Sequence, residues 1–493
     1  MIDFLSIFPE LFLINAAICL LVFGVAEKKN VLSSVNTLSL CSIFLAALLL
    51  LYQPIVMSNF FFYSFIIDDF SFFFKIMILF SSFIVVLMSS TFIRKTKVYA
   101  FENLILIIIA VSTMMLLVSS YDLLGLYLTI ELQSLCFYVL AASKRYSEFS
   151  TEAGLKYFLL GAFSSGILLF GASAIYGFTG MTNFEDLGKL SNTQIFSESQ
   201  EKSMIIGIIF IAVAFLFKMT AVPFHMWAPD VYEGSPTYIT AFFAIVPKIA
   251  IIGVFIRFFA QVQGFFTEWE TIFILSSIAS LILGSIAAMA QQKLKRLLAY
   301  SSISHVGFML IGFCCGTIEG VQALLIYIVI YMIMSCGIFS IALSLYEKKG
   351  LFCESIHDFH LLGKTNPILA FTFTIILFSM AGIPPLAGFC SKFYLFFASL
   401  SSSLYVLAFV GIITSVISCF YYIRFIRIMY FETSSNNIIG PSFLASKTFT
   451  FFYDISFANS FVLALVATFL IFFFVYPSPL FLWTHKIAIA FCF

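Results

Sequence analysis

The sequence predicts an all-α polytopic membrane protein with about fourteen transmembrane helices, on three observations. Apolar residues occupy 62% of the 493 positions and charged residues only 10%, whereas soluble domains average roughly 45–50% and about 25%. Apolar stretches near the length of about 20 residues that crosses a bilayer recur along the chain. Short polar segments separate these stretches, so lipid is the solvent in which the chain is expected to fold.

The predicted helices follow the apolar stretches, with ends defined to within a few residues. They cover residues 7–25, 31–52, 70–92, 101–119, 123–142, 156–177, 204–222, 238–260, 271–290, 297–315, 320–346, 367–399, 404–430 and 457–476. An even number of crossings places both termini on the same side of the membrane.

The distribution of the 25 Lys and Arg residues predicts the orientation. Segments that follow odd-numbered helices contain 16 of them: Lys28, Lys29, Arg94, Lys95, Lys97, Lys144, Arg145, Lys293, Lys295, Arg296, Lys348, Lys349, Lys364, Arg424, Arg427 and Lys447. The opposite side contains four: Lys189, Lys202, Arg257 and Lys486. Because basic loops stay in the cytoplasm or matrix, both termini are expected outside, in the intermembrane space if the membrane is mitochondrial.

The remaining five lysines lie within or at the edge of apolar segments: Lys75, Lys156, Lys218, Lys248 and Lys392. A charge at the bilayer centre costs on the order of 3 kcal/mol, so each is a candidate functional residue. Lys75 and Lys156 lie within about two turns of the predicted helix starts, and two interpretations stay open for them: a functional role, or an ammonium that reaches the interface.

Lys218, Lys248 and Lys392 lie deeper, and Glu131 is the one acid that the sequence places well inside a helix. A structural salt bridge is the alternative to a functional role for these residues.

Two predicted helices contain proline at positions that should break them. Pro223 follows Lys218 in FKMTAVPFHMW, and Pro384 precedes Lys392 in GIPPLAGFCSK. Proline removes an amide and clashes with the preceding turn, and freed carbonyls at membrane depth must face protein or water. The breaks fall in helices seven and twelve, five apart, which predicts two inverted five-helix repeats around a hydrated interior.

This spacing predicts four segments. Residues 1–100 form an N-terminal three-helix segment, 101–260 the first repeat (helices four to eight), and 271–430 the second repeat (helices nine to thirteen). Residues 431–493 form a loop and helix fourteen. Interrupted helices in corresponding positions of two repeats indicate a transport site.

Residues 218–237, KMTAVPFHMWAPDVYEGSPT, resemble the signature of the antiporter-like proton-translocating membrane subunits of complex I, the respiratory NADH dehydrogenase. Segments 130–134 (IELQS), 150–157 (STEAGLKY), 295–302 (KRLLAYSS) and 382–393 (GIPPLAGFCSKF) are similar to the same family. The resemblance covers residues 100–430 well. The ends, the 178–203 loop and the 432–456 stretch match only loosely.

The resemblance implies a role for each buried charge. Glu131 pairs with Lys218 in the first half-channel. Lys248 lies at the centre of the path and Lys392 toward its exit.

The resemblance also adds Lys156 as a further member of the chain. His305, beside serines in helix ten, and His225, just after the first break, are weaker candidates for proton relay. Either histidine is equally explained as a hydrogen-bonded packing residue.

Burial disfavours the ammonium form of lysine, so a lysine inside the bilayer is able to release a proton. A carboxylate at about 8 Å, at an effective dielectric of about 20, opposes that release by roughly 2 kcal/mol. Opening or closing the pair of Glu131 and Lys218 is therefore expected to decide whether the proton passes toward Lys248.

The sequence shows no GxGxxG, P-loop, haem-like or iron–sulfur pattern, and no Cys/His spacing typical of a metal site. No cofactor is therefore expected in this chain, and flavin mononucleotide, iron–sulfur clusters and quinone are expected in other subunits. The expected partners are complex I membrane-arm subunits, including sister antiporter-like chains, and lipid. A net charge of +1 without a long basic run argues against nucleic acid.

The expected function is proton translocation in a proton-translocating NADH:ubiquinone reductase of the mitochondrial inner membrane, or of a bacterial plasma membrane. One alternative is a subunit of a multisubunit cation/proton antiporter. Sodium sites need clustered oxygen ligands, which one deep glutamate among lysines does not supply. The other alternative, a purely structural scaffold, leaves the buried charges and the two breaks unexplained.

The orientation is testable by cysteine labelling with a membrane-impermeant reagent. Ser143→Cys and Lys349→Cys are expected to react only from the matrix or cytoplasmic side, because they lie in the basic loops. Lys189→Cys serves as the control and should react only from the opposite side. Labelling of Ser143→Cys from the same side as Lys189→Cys contradicts the orientation.

Overall fold

The fourteen predicted helices are present in the computed structural model, which describes residues 6–27, 31–53, 58–96, 101–144, 146–193, 198–344, 355–360, 362–431 and 455–492. They are α1 (Phe8–Ala26), α2 (Val31–Tyr52), α3 (Asp69–Thr96), α4 (Glu102–Ser119), α5 (Leu123–Ala141), α6 (Glu148–Thr179), α7a (Glu198–Met219) with α7b (Trp227–Gly234), α8 (Thr237–Gln261), α9 (Phe266–Met289), α10 (Leu294–Cys314), α11 (Ile318–Ser344), α12a (Pro367–Ala381) with α12b (Ala387–Ser401), α13 (Tyr405–Phe431) and α14 (Phe457–Phe472). Twelve helices of the described part are long and apolar enough to cross a membrane, and α12a and α14 are shorter apolar helices. The prediction of an all-α polytopic membrane protein is confirmed.

Some local features differ from the prediction. Helix α6 begins at Glu148 rather than near 156, because the Ser147 side chain caps it by accepting a hydrogen bond from the Ser150 amide. Two further helices, Phe184–Thr193 and Ser478–Cys492, lie outside the predicted crossings. A short hairpin joins β1 (Ser58–Phe60) to β2 (Phe65–Ile67). Seven of the basic residues used for the orientation lie outside the described residues: Lys28, Lys29, Lys97, Arg145, Lys348, Lys349 and Lys447.

Three helices form the centre of the molecule. The apolar span of α8 is entirely buried, and those of α10 and α11 are 94% buried, whereas only 39% of the spans of α6 and α13 is buried. The outer helices therefore present one side to lipid or to other proteins. Polar side chains in the buried spans of α8, α10 and α11 are surrounded by protein, so these three helices can hold charged groups away from lipid.

Both predicted helix breaks are present. Helix α7a ends at Met219, and Thr220 adopts a left-handed conformation with φ of 70°. Helix α12a ends at Ala381, and Gly382, with φ of 84°, forms its left-handed C-cap. Pro223 and Pro384 lie in the two interruptions, as predicted.

A buried ion pair joins the N-terminal helices. The Lys75 ammonium of α3 lies 2.6 Å from a carboxylate oxygen of Glu10 in α1, and the two side chains are 3% and 0% exposed. The contact is an ion pair without the alignment of a hydrogen bond. Lys75 is therefore buried against α1 and is not exposed at the protein surface. Glu10 lies in the first turn of α1, so the sequence pattern alone did not indicate that it would be buried.

At the second break, the backbone of α12b at Gly388 packs closely against α12a at Ser379. The Gly388 amide donates a hydrogen bond to Ser379 Oγ at 3.1 Å, and an added Cβ would overlap the Ser379 carbonyl oxygen. Gly388→Ala is therefore expected to separate α12a from α12b and to destabilise the protein by roughly 1–3 kcal/mol. The measurement is the fraction of protein that stays monodisperse in detergent after heating.

Gly166→Ala, in the middle of α6, is the matched control because no atom lies within 4 Å of an added Cβ there. It should be as stable as the unmodified chain. Equal heat resistance of both variants contradicts the packing at the break.

Candidate functional site

Lys218 and Lys248 line one cavity between the first repeat and the centre of the molecule. The cavity leaves about 480 Å³ unfilled, its open side included, and about 20 Å³ is available to the centres of water molecules. That space suffices for one or two waters that bridge polar groups. Ser134, Thr220 and Tyr232 add hydroxyl groups to its wall, so water in the cavity has polar partners on several sides.

Glu131 lies beside this cavity on α5. Its carboxylate is half-buried and accepts a hydrogen bond from Ser134 Oγ at 2.9 Å. Glu131 interacts electrostatically with Lys218, without a direct ion pair between them in the described part of the chain. Ser134 both bonds to Glu131 and lines the cavity, so it connects the carboxylate to the cavity wall.

Lys248 lies at the centre of α8 and is 3% exposed. Its ammonium donates a hydrogen bond to Tyr331 Oη at 3.4 Å and lies 5.5 Å from the centre of that ring. Tyr331 in turn donates to the Ala244 carbonyl at 3.3 Å. The preceding Pro247 has no amide for the Phe243 carbonyl, which instead accepts from Tyr232 Oη at 3.4 Å.

His305 continues the polar row on α10 and is 2% exposed. Its Nδ1 lies 2.7 Å from Tyr327 Oη, and its Nε2 lies 3.5 Å from Tyr422 Oη, at the limit of a hydrogen bond. The His305 ring centre is 5.2 Å from that of Tyr331, the partner of Lys248. His305 also interacts electrostatically with both Lys248 and Lys392.

Lys392 ends the row at the second break. Its ammonium donates hydrogen bonds to the carbonyls of Met380 and Ala381, both at 3.0 Å, which the end of α12a leaves free. It also lies 5.0 Å from the centre of the Phe308 ring, a cation–π contact. The break thus provides the oxygen ligands that a buried ammonium needs.

The two lysines lie on opposite sides of their helix breaks in the sequence. Lys218 lies five residues before Pro223, and the position five residues before Pro384 is Ser379, not lysine. Lys392 lies after the break, and its side chain folds back to the end of α12a.

The remaining predicted site residues lie apart from this row. Lys156 is 42% exposed and forms ion pairs at 2.8 Å with Glu152 and Asp230, so the structure does not bring it to the cavity. His225 is buried in the first break, but it does not line the cavity.

Asp230 belongs to a surface ion network that sequence reasoning missed. Arg296 of α10 contacts Asp230 and Glu233 of α7b at 3.4 and 3.3 Å. Lys293 pairs with Glu233 as well. This network ties the first break to the start of α10.

Sequence reasoning also missed the tyrosines that connect the lysines. Tyr327 and Tyr331 lie four residues apart on α11, so they share one helix face, and Tyr422 approaches from α13. The repeated hydroxyl on one face of an apolar helix was the available signal. Tyr331 therefore contacts Lys248 and lies beside His305, whose ring nitrogens face two further tyrosine hydroxyls, an arrangement able to pass a proton between neighbouring groups.

Residues 120–418 match the family described as NADH:quinone oxidoreductase/Mrp antiporter, TM. The chain is 53% identical to NADH-ubiquinone oxidoreductase chain 2 of Marchantia polymorpha, over 99% of both chains. It is 49% identical to the protein of that name from Arabidopsis thaliana, over 99% of this chain and 96% of the relative. It is 45% identical to NADH-quinone oxidoreductase subunit N of Parvibaculum lavamentivorans, over 80% of this chain and 78% of the relative.

Solved structures share the fold. A chain of respiratory complex I from Thermus thermophilus with bound aureothin matches with a TM-score of 0.77 and 26% identity, over 96% of this chain and 98% of that chain. A chain of the archaeal membrane-bound sulfane sulfur reductase matches with a TM-score of 0.82 at 22% identity, over 98% and 97%, which shows the fold alone. On the matched length and the identity to its relatives, this chain belongs to the NADH:quinone oxidoreductase/Mrp antiporter family of membrane subunits.

Proposed function

We propose that this chain is the chain 2, or subunit N, membrane subunit of a proton-translocating NADH:ubiquinone oxidoreductase, and that it carries protons through the bilayer on its buried lysines. The observation that carries the proposal is the row of neighbouring polar groups from the cavity of Lys218 and Lys248 past Tyr331 and His305 toward Lys392. The near full-length relatives named as chain 2 of that enzyme support the same function.

In the first repeat, Lys218 is the proton donor to Lys248. Its ammonium is stabilised by Glu131, and this stabilisation weakens when the carboxylate is shielded or moves away. Lys248 shares the cavity, so one or two waters suffice to connect the two amines. The charge of Glu131 thus sets the direction in which the proton moves.

In the second repeat, the proton passes from Lys248 to Lys392 by way of His305. Tyr331 accepts from Lys248, and the His305 ring lies next to that tyrosine. Lys392 is the acceptor because two free carbonyls and an aromatic face stabilise its ammonium. His305 interacts electrostatically with both lysines, so it is suited to relay between them.

The proposed half-channels correspond to residues 101–260 and 271–430, that is α4–α8 and α9–α13. We place the chain in the mitochondrial inner membrane with both termini in the intermembrane space, on the charge distribution and the identity to plant relatives. Because the relatives include bacterial proteins, the alternative location is a bacterial plasma membrane. NADH oxidation and quinone reduction, with their flavin and iron–sulfur clusters, belong to partner subunits, and sister antiporter-like chains are its membrane neighbours.

The second candidate function is cation exchange in a multisubunit antiporter, since a chain of the Mrp complex from a Dietzia species shares the fold, with a TM-score of 0.77 at 18% identity. The buried row argues for protons, because lysine ammonium groups repel sodium. Proton movement driven by NADH and unaffected by sodium removal supports the first function. Sodium transport without NADH supports the second.

Lys218→Arg separates a proton carrier from a structural charge. Arginine keeps the positive charge but does not release its proton in a protein, so proton pumping is expected to fall at least tenfold while the complex assembles. The measurement is NADH-driven proton uptake by vesicles that contain the purified complex, with assembly checked on native gels.

Lys189→Arg is the control, because Lys189 is 66% exposed and pairs with Glu185 on the surface. It should pump at the normal rate. If Lys218→Arg assembles and pumps as fast as Lys189→Arg, the carrier role of Lys218 is wrong.

Glu131→Gln tests the influence of the carboxylate on Lys218. Removing a charge at about 8 Å takes away roughly 2 kcal/mol of stabilisation of the ammonium, so Lys218 holds its proton less often and pumping slows without loss of assembly. Lower external pH should partly restore the rate, since it reloads Lys218. A rate that is reduced equally at every pH points to a packing defect and contradicts this role.

A further inference from the structure

We infer that Arg424 is a charged plug that stops protons from leaking between the basic-loop face of the membrane and His305 by a second, shorter route. The inference rests on the proposed function, because a leak to His305 matters only where protons pass this histidine. The route lies in the second repeat, between α9, α10 and α13, away from the cavity of Lys218.

The outer part of the route is a small cavity at the end of α9. It leaves about 190 Å³ unfilled, its open side included, with about 10 Å³ available to the centre of a water molecule. Gln291, Tyr421 and Arg424 are its polar lining residues. Gln291 lies in the connection that contains Lys293, so the cavity belongs to the basic face.

The inner part of the route is a pair of tyrosines. Tyr421 is buried, and its hydroxyl makes no hydrogen bond of good geometry within the described part of the chain, although Tyr422 and Ser304 are its polar neighbours. The ring centres of Tyr421 and Tyr422 are 4.4 Å apart. Tyr422 Oη lies 3.5 Å from His305 Nε2. A water in the cavity would therefore connect the basic face to His305 through two hydroxyls.

Arg424 stands at the start of this route. Its guanidinium is half-buried and donates a hydrogen bond to the Met289 carbonyl at the end of α9, at 3.1 Å. No carboxylate pairs with it in the described residues, so its charge is not neutralised. Fixed positive charges exclude protons and cations from narrow pores, and a unit charge about 10 Å away, at a dielectric of about 20, reduces the occupancy of a proton by roughly tenfold.

The first repeat has an arginine in the corresponding place. Arg257 lies 20 positions after the start of α8, and Arg424 lies 19 positions after the start of α13, the fifth helix of each repeat. Arg257 is 1% exposed and pairs with Asp68 at 2.8 Å. Burial raises the pKa of Asp68, but Arg257 and hydrogen bonds from Ser71 outweigh it and hold that pKa below its usual value. Because the repeats are inverted, the two arginines close opposite faces, and only Arg424 keeps an unpaired charge.

The test is passive proton leak in vesicles that contain the whole complex, without NADH. A potassium diffusion potential drives protons inward, and a trapped pH dye reports the rate. Arg424→Gln keeps a hydrogen-bond donor but removes the charge, and the leak is expected to rise roughly tenfold. Arg424→Lys keeps the charge and should leave the leak low. Tyr421→Phe added to Arg424→Gln should return the leak toward normal, because it removes the first hydroxyl.

Arg427→Gln is the matched control, one turn further along α13 and exposed. Gln291→Glu is a second variant, which neutralises Arg424 from the cavity wall and should also raise the leak if Arg424→Gln does not assemble. Three results contradict the role of Arg424 as a plug. The first is an unchanged leak in Arg424→Gln or Gln291→Glu, and the second is an equal rise in Arg427→Gln. The third is a leak in Arg424→Gln that the added Tyr421→Phe does not reduce. The leak is measured without NADH, so it does not depend on pumping. If Lys218→Arg abolishes pumping but the leak does not respond to Arg424, the plug is refuted and the proposed proton carrier is not.

Discussion

The cost of placing charge and unpaired backbone groups in lipid is the constraint on which this structure depends. Three of the buried cations have close oxygen partners within the described chain. Lys75 has Glu10 at 2.6 Å, Arg257 has Asp68 at 2.8 Å, and Lys392 has two carbonyls at 3.0 Å. Lys218 differs, because only the electrostatic influence of Glu131 and a cavity with room for water support its charge. A cation with such weak support is the one best suited to give up its proton.

The helix breaks follow from the same constraint. A continuous helix satisfies every internal carbonyl and has none to offer a lysine. The end of α12a releases the carbonyls of Met380 and Ala381, which Lys392 uses. Pro247 frees one carbonyl without interrupting α8, and this carbonyl, of Phe243, accepts a hydrogen bond from Tyr232. Proline and glycine thus convert a purely apolar scaffold into one with polar ligands at chosen depths.

The tyrosines place polar groups between the charged residues without adding further charge. A further lysine between Lys248 and Lys392 would raise the electrostatic cost of both. Tyr331, Tyr327 and Tyr422 supply hydroxyls that donate and accept while staying neutral. His305 contributes the imidazole among these hydroxyls, and it interacts electrostatically with both Lys248 and Lys392.

The sequence by itself determined the membrane-spanning class, the fourteen helices and both interruptions, because length, hydropathy and proline act locally along the chain. It also identified Glu131, Lys218, Lys248 and Lys392 as charges within membrane helices, because few other ionisable residues lie deep in apolar segments. Only the tertiary structure decided which groups meet. It placed Lys156 in exposed ion pairs, gave Lys75 a buried partner in Glu10, and brought tyrosines from α11 and α13 to His305. The physical reason is that local hydropathy sets whether a residue is in the membrane, whereas a charge's partner comes from helices distant in sequence, whose packing no local pattern encodes.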